Sequence, residues 1–370
     1  MSEIRPFAAA DIPVVADMFQ RILRKSDRPA APSLKAYLGE LFLDPPDFDP
    51  AIVSLVHERT DGSVSGFLGV LPQPMELDGV GLRAAICGTL MVDNHAEDPF
   101  AGARLLRAFL AGPQDLSLTE TANDVSTAMW RKLRATVLPD YSLEWLRVIR
   151  PAGFAAALAA NRLGMAGMLA AVASPIDALL HRRTAPTGQS WSHISPSDTK
   201  TSLKDEEAGE ERLFELFPAL TEHFTLRPQW STETLRARLS HARRKANYGG
   251  CVRRVVTTRD GRAVGLFIYY GDKGGIGRTV QILAAPGHEG AVVDRMIDHA
   301  AGRGLVALRG RTQPALLDAM LGRRIAFLHA SSSIMHARDP AVAEIFHSGK
   351  AFFNGFAGES WARLIGDSFE

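Results

Sequence analysis

The chain has 370 residues, a formal net charge of +1 and 46% hydrophobic residues. That length is long for one compact domain and comfortable for two, and the apolar fraction supplies sizeable cores. The balanced charge excludes a global electrostatic pull toward nucleic acid or an anionic membrane, so no DNA partner is expected and any such binding must come from a local patch. Two cysteines, Cys87 and Cys251, belong to no ligand spacing or disulfide framework, and the scattered histidines pair with no other ligand type, so no metal is expected. The first residues, Met1 to Arg5, lack the basic-then-apolar pattern of a secretory signal, and a reducing cytoplasm is the expected location.

In chain order, Ile4 to Phe7 reads as a short strand and Ala10 to Phe19 as a first helix. Ala84 to Val92 is apolar enough for a central strand and halts at Asp93-Asn94-His95, a turn-type cluster. The loop Ala96 to Ala103 then opens a helix whose apolar residues Leu105, Leu106, Phe109 and Leu110 recur at helical spacing. Its amino end carries unpaired N–H groups, and the small residues Ala101, Gly102 and Ala103 would let a pyrophosphate approach them. Leu116 to Glu120 reads as a strand and Ala122 to Leu133 as a helix.

This order of strand, small-residue loop, helix, strand and helix resembles the cofactor-binding half of the GNAT superfamily, the acyl-CoA-dependent N-acyltransferases. The superfamily's loop reads Arg or Gln, two residues, Gly, one residue, Gly or Ala. Aligned on Leu105-Leu106, Gly102 falls on the last glycine, Phe100 takes the first, and Glu97 replaces the basic residue. Asn123 and Lys132-Leu133 also fit, whereas Trp130 stands at the usual Tyr position and Arg134 at a glycine. Over residues 3 to 150 the resemblance implies an α/β (α+β) domain, a mixed and mostly antiparallel twisted sheet flanked by helices. It implies acetyl-CoA or another acyl-CoA as co-substrate and direct attack by an amine. It assigns the thioester carbonyl to the backbone of Leu90, Met91 or Val92, the pyrophosphate to Ala101, Gly102 and Ala103, and places Asn123 and Trp130 near the rest of the cofactor.

Amine acylation also needs a base and a way to protonate the thiolate. Glu120, at the carboxyl end of a central strand facing the crevice, is the first candidate base, although Thr119-Glu120-Thr121 also suits the entry to the next helix. His95 is the second candidate, with a pKa suited to proton transfer; otherwise it is an exposed loop residue. Tyr141, beside the crevice strand, is the candidate acid replacing the missing tyrosine.

Residues 151–189 read as a connecting helix and polar linker between domains, or as a membrane-surface helix. Asn161, Arg162, Pro175 and Asp177 cut the apolar run below the roughly 20 residues of a membrane span. From His181 to Lys204 the chain turns polar, and Asp205 to Glu211 reads as a solvated first helical turn. Residues 190–370 then repeat the element order of residues 1–150. Cys251 to Thr258 and Ala263 to Tyr270 form a hairpin through Arg259-Asp260-Gly261-Arg262, Gly271 to Gly277 reads as another hairpin turn, and Thr279 to Ala284 as the next strand. Pro286 to Ala291 leads into the helix Val292 to Ala301, followed by Leu305 to Arg309, a helix at Pro314 to Leu321 and a late strand at Ile325 to Met335. This half is expected to be a second, more divergent GNAT-like domain, with His288-Glu289 in its loop and Met320 where a tyrosine would stand.

The basic run Arg236, Arg238, His241, Arg243, Arg244 and Lys245 is either a solvated helix face or a contact for an anionic substrate, a lipid headgroup or RNA. The leading functional reading is an N-acyltransferase acting on a small-molecule or peptide amine. Two others stay open: an inactive ligand- or partner-binding relative, and a tandem transferase acting on an aminoacyl-tRNA or lipid-linked acceptor.

Overall fold

A computed structural model describes residues 2–94, 96–163 and 203–369, with the side chains of 160–163 excepted. His95, most of the polar linker and the second part of the apolar stretch after residue 163 lie outside the described residues. The strands are β1 Glu3–Pro6, β2 Leu55–Glu58, β3 Val64–Leu77, β4 Val80–Val92, β5 Leu116–Ala122, β6 Thr136–Val137, β7 Leu143–Val148 and β8 Lys204–Glu207, then β9 Leu226–Pro228, β10 Cys251–Thr257, β11 Ala263–Tyr270, β12 Ile276–Ala284, β13 Ala307–Arg311, β14 Ala326–His329 and β15 Ser332–Ala337.

Two mixed sheets result. The first runs β1-β2-β3-β4-β5-β15-β6 with β9 added beside β3, and the second runs β14-β7-β13-β12-β11-β10-β8. Within each sheet one neighbouring pair is parallel, β4 with β5 and β12 with β13, and the others are antiparallel. Read from its outer edge, the second sheet repeats the first position by position, and the flanking helices complete the expected α/β architecture.

The correspondence has one twist. The strand that flanks β5 is β15, from the far end of the chain, while the strand that flanks β13 is β7, from the first half. Each sheet thus borrows its penultimate strand from the other half, and a boundary at residue 150 does not divide the sheets. The expected late strand Ile325 to Met335 is two strands, because the chain leaves the second sheet after His329 and enters the first at Ser332. The polar stretch His329 to Ser333 inside this segment is where the chain crosses from one sheet to the other.

The cores follow the same sharing. One face of the first sheet packs helices Ile12–Leu23 and Pro32–Phe42, and the same cluster takes in helices Glu210–Thr221 and Thr232–Arg243 and the aromatic tail residues Phe352, Phe353, Phe356 and Trp361. The opposite face packs Leu105, Leu106 and Phe109 of helix Ala101–Leu110 against Trp130 of helix Asp124–Lys132. Pro72 and Pro74 interrupt the amide ladder of β3 only where β2 has already ended, its last partner being Leu68.

Two charged segments behave differently from expectation. The acidic run splits, with Lys204–Glu207 as an edge strand on β10 and only Glu210 and Glu211 opening a helix. The Asp205 carboxylate is buried between Arg254, at 2.8 Å, and Arg295, which hold it below the usual carboxylate range against the opposing effect of burial. The basic run is not a solvated face either: Arg238, His241 and Lys245 are buried, and Arg243 and Arg244 pair with Glu210 and Glu40. Among the described residues no helix is long and apolar enough to cross a membrane.

The strand exchange yields a direct expectation. Residues 1–150 expressed alone lack β15 and leave the edge of β5 bare, so they are expected to aggregate or remain unfolded by gel filtration and circular dichroism. Co-expression with residues 190–370 should restore a soluble complex. A soluble, cooperatively unfolding 1–150 fragment would show that β15 is dispensable.

Candidate functional site

β4 and β5 pair only at Ala84–Leu116, Ala85–Ser117 and Ile86–Leu118, after which they diverge toward their carboxyl ends. The register of β4 with β3 slips between Gly88 and Met91, and there Thr89 adopts φ +58, unusual for a β-branched residue. This is a β-bulge, which releases a residue from the ladder and turns backbone groups toward the gap. A cavity of about 320 Å³ fills the gap. Its walls are Cys87 to Leu90 of β4, Thr119, Thr121 and Ala122 of β5, Asn123 and Ser126 at the next helix, Phe19, Leu23 and Arg24 at the first, and Leu364 to Gly366 of the tail.

Two buried carboxylates lie behind the walls of this gap, next to Thr121 and Gly88, and neither lines the cavity. Glu120 accepts hydrogen bonds from the backbone N–H of Gly355 (3.3 Å), Glu359 (2.7 Å) and Ser360 (3.1 Å) and from the Ser360 hydroxyl (2.7 Å). Such a set satisfies an acceptor-only carboxylate and leaves little room for proton transfer. Glu359 is different. It is buried, its Oε1 accepts from the Thr121 hydroxyl at 2.5 Å, and the backbone N–H of Glu120 also stabilises its charged form. Its Oε2 faces Gly88, where a side-chain methyl would collide with it. Burial, reinforced by the charge of Glu120, pushes the Glu359 carboxyl up to about 7.

Glu120 therefore anchors the tail instead of serving as the base expected from its strand position, and Glu359 supplies the poised carboxylate. Nothing in the sequence around Glu359 signals this, since the residue is 239 positions from Glu120 and meets it only in the folded chain. Tyr141 is buried outside the cavity; its hydroxyl donates to the Ala351 carbonyl at 2.8 Å, and burial raises its pKa, so it cannot serve as the acid. His95 lies outside the described residues.

The expected cofactor residues divide. Leu90 and Asn123 line the cavity, and the Asn123 side chain also caps its helix by accepting from Ser126 N–H at 2.9 Å. Met91 is buried in the sheet and Val92 ends the strand beside it. Trp130 is wholly buried against Phe109, with ring centroids 6.2 Å apart, and stands outside the cavity as a core residue. Ala101 and Gly102 are buried too: a Cβ at Gly102 would lie 3.4 Å from Val92 Cγ2 and 3.6 Å from Met129 Sδ, so this glycine serves helix packing. The N–H groups of Gly102 and Ala103 nevertheless have no acceptor among the described residues, and the helix has no side-chain cap. The acidic residues of the loop, Asp93, Glu97 and Asp98, are each paired with an arginine: Arg21 at 2.5 Å, Arg59 at 3.0 Å, and Arg104. Among the described residues no group of side chains is arranged to hold a metal.

The equivalent gap in the second sheet is narrowed by the tail. β12 and β13 separate beyond Thr279 and Gly310, and the tail enters there. Phe356 N–H donates to Gln281 Oε1 at 2.9 Å, and Asn354 Nδ2 donates to the Thr312 carbonyl at 2.6 Å. Gly355, at φ +63, approaches the Val280 carbonyl too closely for any Cβ. At the amino end of helix Glu289–Gly302, Arg323, held by Asp294 at 2.8 and 3.0 Å, packs over Gly290.

No family model matches this sequence, and no curated protein matches it. Solved structures do match in fold. A probable N-acyltransferase from Enterococcus faecalis V583 superposes with a TM-score of 0.59 at 10% identity, over 91% of this chain and 73% of that one. A GCN5-related N-acetyltransferase from Anabaena variabilis ATCC 29413 gives 0.57 at 10% identity over 92% and 73%, and one from Kribbella flavida gives 0.52 at 11% over 91% and 71%. The chain has the GNAT-like fold.

Two stability outcomes follow from the carboxylate pair. Glu120→Ala should destabilise the protein by about 3 kcal/mol or more in urea unfolding, because buried donors lose their acceptor; a change under about 1 kcal/mol would show that the tail does not depend on it. For Glu359 the folded-state pKa is raised, so its contribution is fully present below about pH 4.5, the ordinary value, and is lost as pH rises through about 7. Thermal midpoints of Glu359→Gln should therefore gain on those of the parent across that window, and parallel curves would refute the raised pKa.

Proposed function

We propose that this protein, built on the fold it shares with GCN5-related N-acetyltransferases, moves an acyl group from CoA to an amine in the cleft between β4 and β5. Acetyl-CoA is the expected donor and a small-molecule or peptide amine the acceptor. The observation that carries this reading is the open cleft beside a bulged strand, with the buried Glu359 carboxylate packed directly behind its walls at Gly88 and Thr121. The second cleft is narrowed by the chain's own tail to a cavity of about 110 Å³, against about 320 Å³ for the first, which is the roomier of the two.

The chemistry needs little else. The amine nitrogen attacks the thioester carbonyl carbon, and the C–S bond breaks as the tetrahedral intermediate collapses. Glu359 accepts the proton lost by the nitrogen. Backbone N–H groups of the Thr89 bulge are the donors available to the developing oxyanion, a type of contact worth several kcal/mol when preorganised. A thiolate is a tolerable leaving group, with an ordinary thiol pKa of about 8.5, so the departing sulfur can take up the released proton without a dedicated acid. The free N–H groups of Gly102 and Ala103 suit a pyrophosphate oxygen.

A second reading, ligand binding without turnover, draws on one feature: no tyrosine lines the open cleft among the described residues. Calorimetric titration with acetyl-CoA and longer acyl-CoAs separates both readings from none, since absence of any binding would sink them together. With an amine acceptor in hand, kcat/KM should rise with pH to a plateau above about 7, following ionisation of Glu359. Glu359→Gln should lower kcat by ~10²-fold or more and abolish that rise. An unchanged profile in the variant would remove Glu359 as the base.

A further inference from the structure

A second cavity, of about 110 Å³, lies over the second sheet and shares Thr121 and Ile365 with the wall of the first. Its charge is one-sided. Lys245, Arg278, Arg309 and Arg311 line it, with Glu144 as the only carboxylate among its lining residues, and Glu144 is committed to Arg309. Arg311 spends its N–H groups on the carbonyls of Ser142, Ser331 and Glu120 and on nearby hydroxyls, none of which carries charge. Lys245 is buried and donates to the carbonyls of Ser360 (2.8 Å) and Ala362 (3.1 Å), which leaves one of its three N–H groups uncommitted among the described residues. The Arg278 guanidinium makes no hydrogen bond or ion pair among the described residues and lies over the Tyr248 ring, 4.5 Å from its centroid.

Four cations line the cavity against one lining carboxylate, and although Asp367 and Glu120 also act on Lys245, holding this excess half-buried costs free energy that an incoming anion recovers. Burial lowers the pKa of Lys245 to about 7 and that of Arg278 below its ordinary value, so an anion brought close to them would restore their charged forms. The fold gives the cavity a use, since it opens beside Thr121, the residue whose hydroxyl holds the Glu359 carboxylate. A ligand anchored there by an oxyanion would reach toward Glu359 with its other end. The volume suits one such group on a short stem and is too small for a nucleotide.

We infer that this cavity binds the oxyanion of the acceptor, so that the substrate class is an amine bearing a carboxylate or a phosphate a few bonds from its nitrogen. The word acceptor rests on the acyl-transfer reading above; the anion site itself does not. Two measurements keep them apart. In the first, thermal midpoints are recorded with inorganic phosphate and, separately, with acetate, at constant ionic strength and without acyl-CoA. One of these anions should raise the midpoint by about 2 °C when present at tenfold its Kd, and Arg278→Gln and Lys245→Met should each lose most of that shift. The anion with the larger effect identifies the group the acceptor carries. Equal shifts in the parent and both variants, or none in any, would overturn the anion site whether or not acyl-CoA binds. In the second, a panel of primary amines of matched pKa is acylated: anionic amines should show KM at least tenfold below neutral ones, and Arg278→Gln should raise that KM at least tenfold while leaving the Kd for acyl-CoA unchanged. Indifference of KM to the acceptor's charge in an enzyme that does turn over would overturn the assignment of the cavity to the acceptor and leave the acyl-transfer reading intact.

Discussion

Glu120 sits on a central strand of the first sheet and receives three backbone N–H groups and a hydroxyl from residues 355–360, a segment that itself narrows the gap in the second sheet. A buried carboxylate must be compensated, and here its hydrogen bonds come from the tail, with the Lys245 charge acting beside them. The tail is therefore held where it narrows one cleft and walls the other. Glu359 is carried into place by that clamp, and the charge of Glu120 helps keep it protonated until near neutrality. Removing the clamp would release the anchor of the tail, the constriction of the second cleft and the base together.

The same segment binds the halves mechanically. Arg238, buried beneath it, reaches Gln73 of β3 at 2.6 Å and the Phe356 carbonyl at 2.5 Å, and Arg24 of the first helix donates to the carbonyls of Leu364 and Asp367. Exchange of β7 and β15 adds a ladder in each direction. A duplicated fold whose copies trade strands and share a tail has no free interface along which to rock, so each cleft is shaped by residues from both halves.

Division of labour between the copies follows from this. Tail residues 354–356 occupy the divergence of β12 and β13, whereas the divergence of β4 and β5 stays open with the tail only along its floor and side. The second copy keeps a cavity on the sheet face toward the first, where Lys245 and Arg278 stand without carboxylate partners.

Much of the fold was legible in the sequence because it rests on local periodicity. Alternation and apolar runs placed β4, β5, β10, β11 and β12 within a few residues, and helical spacing at Leu105, Leu106 and Phe109 placed the helix that follows β4. Of the residues singled out for the cofactor, Leu90 and Asn123 line the cleft. Composition also anticipated a second copy, since strand, loop and helix recur in order. What the sequence could not express is pairing between residues far apart along the chain. Whether β15 lies beside β5 or β13, whether Glu120 is a free base or an anchored acceptor, whether Trp130 and Tyr141 face a cleft or a core, and whether Glu359 is an ordinary tail residue or the carboxylate with a raised pKa are all decided by burial and by long-range hydrogen bonds. Those are properties of the closed tertiary structure, where desolvation and neighbouring charge set the chemistry of a side chain, and no local pattern of residues carries them.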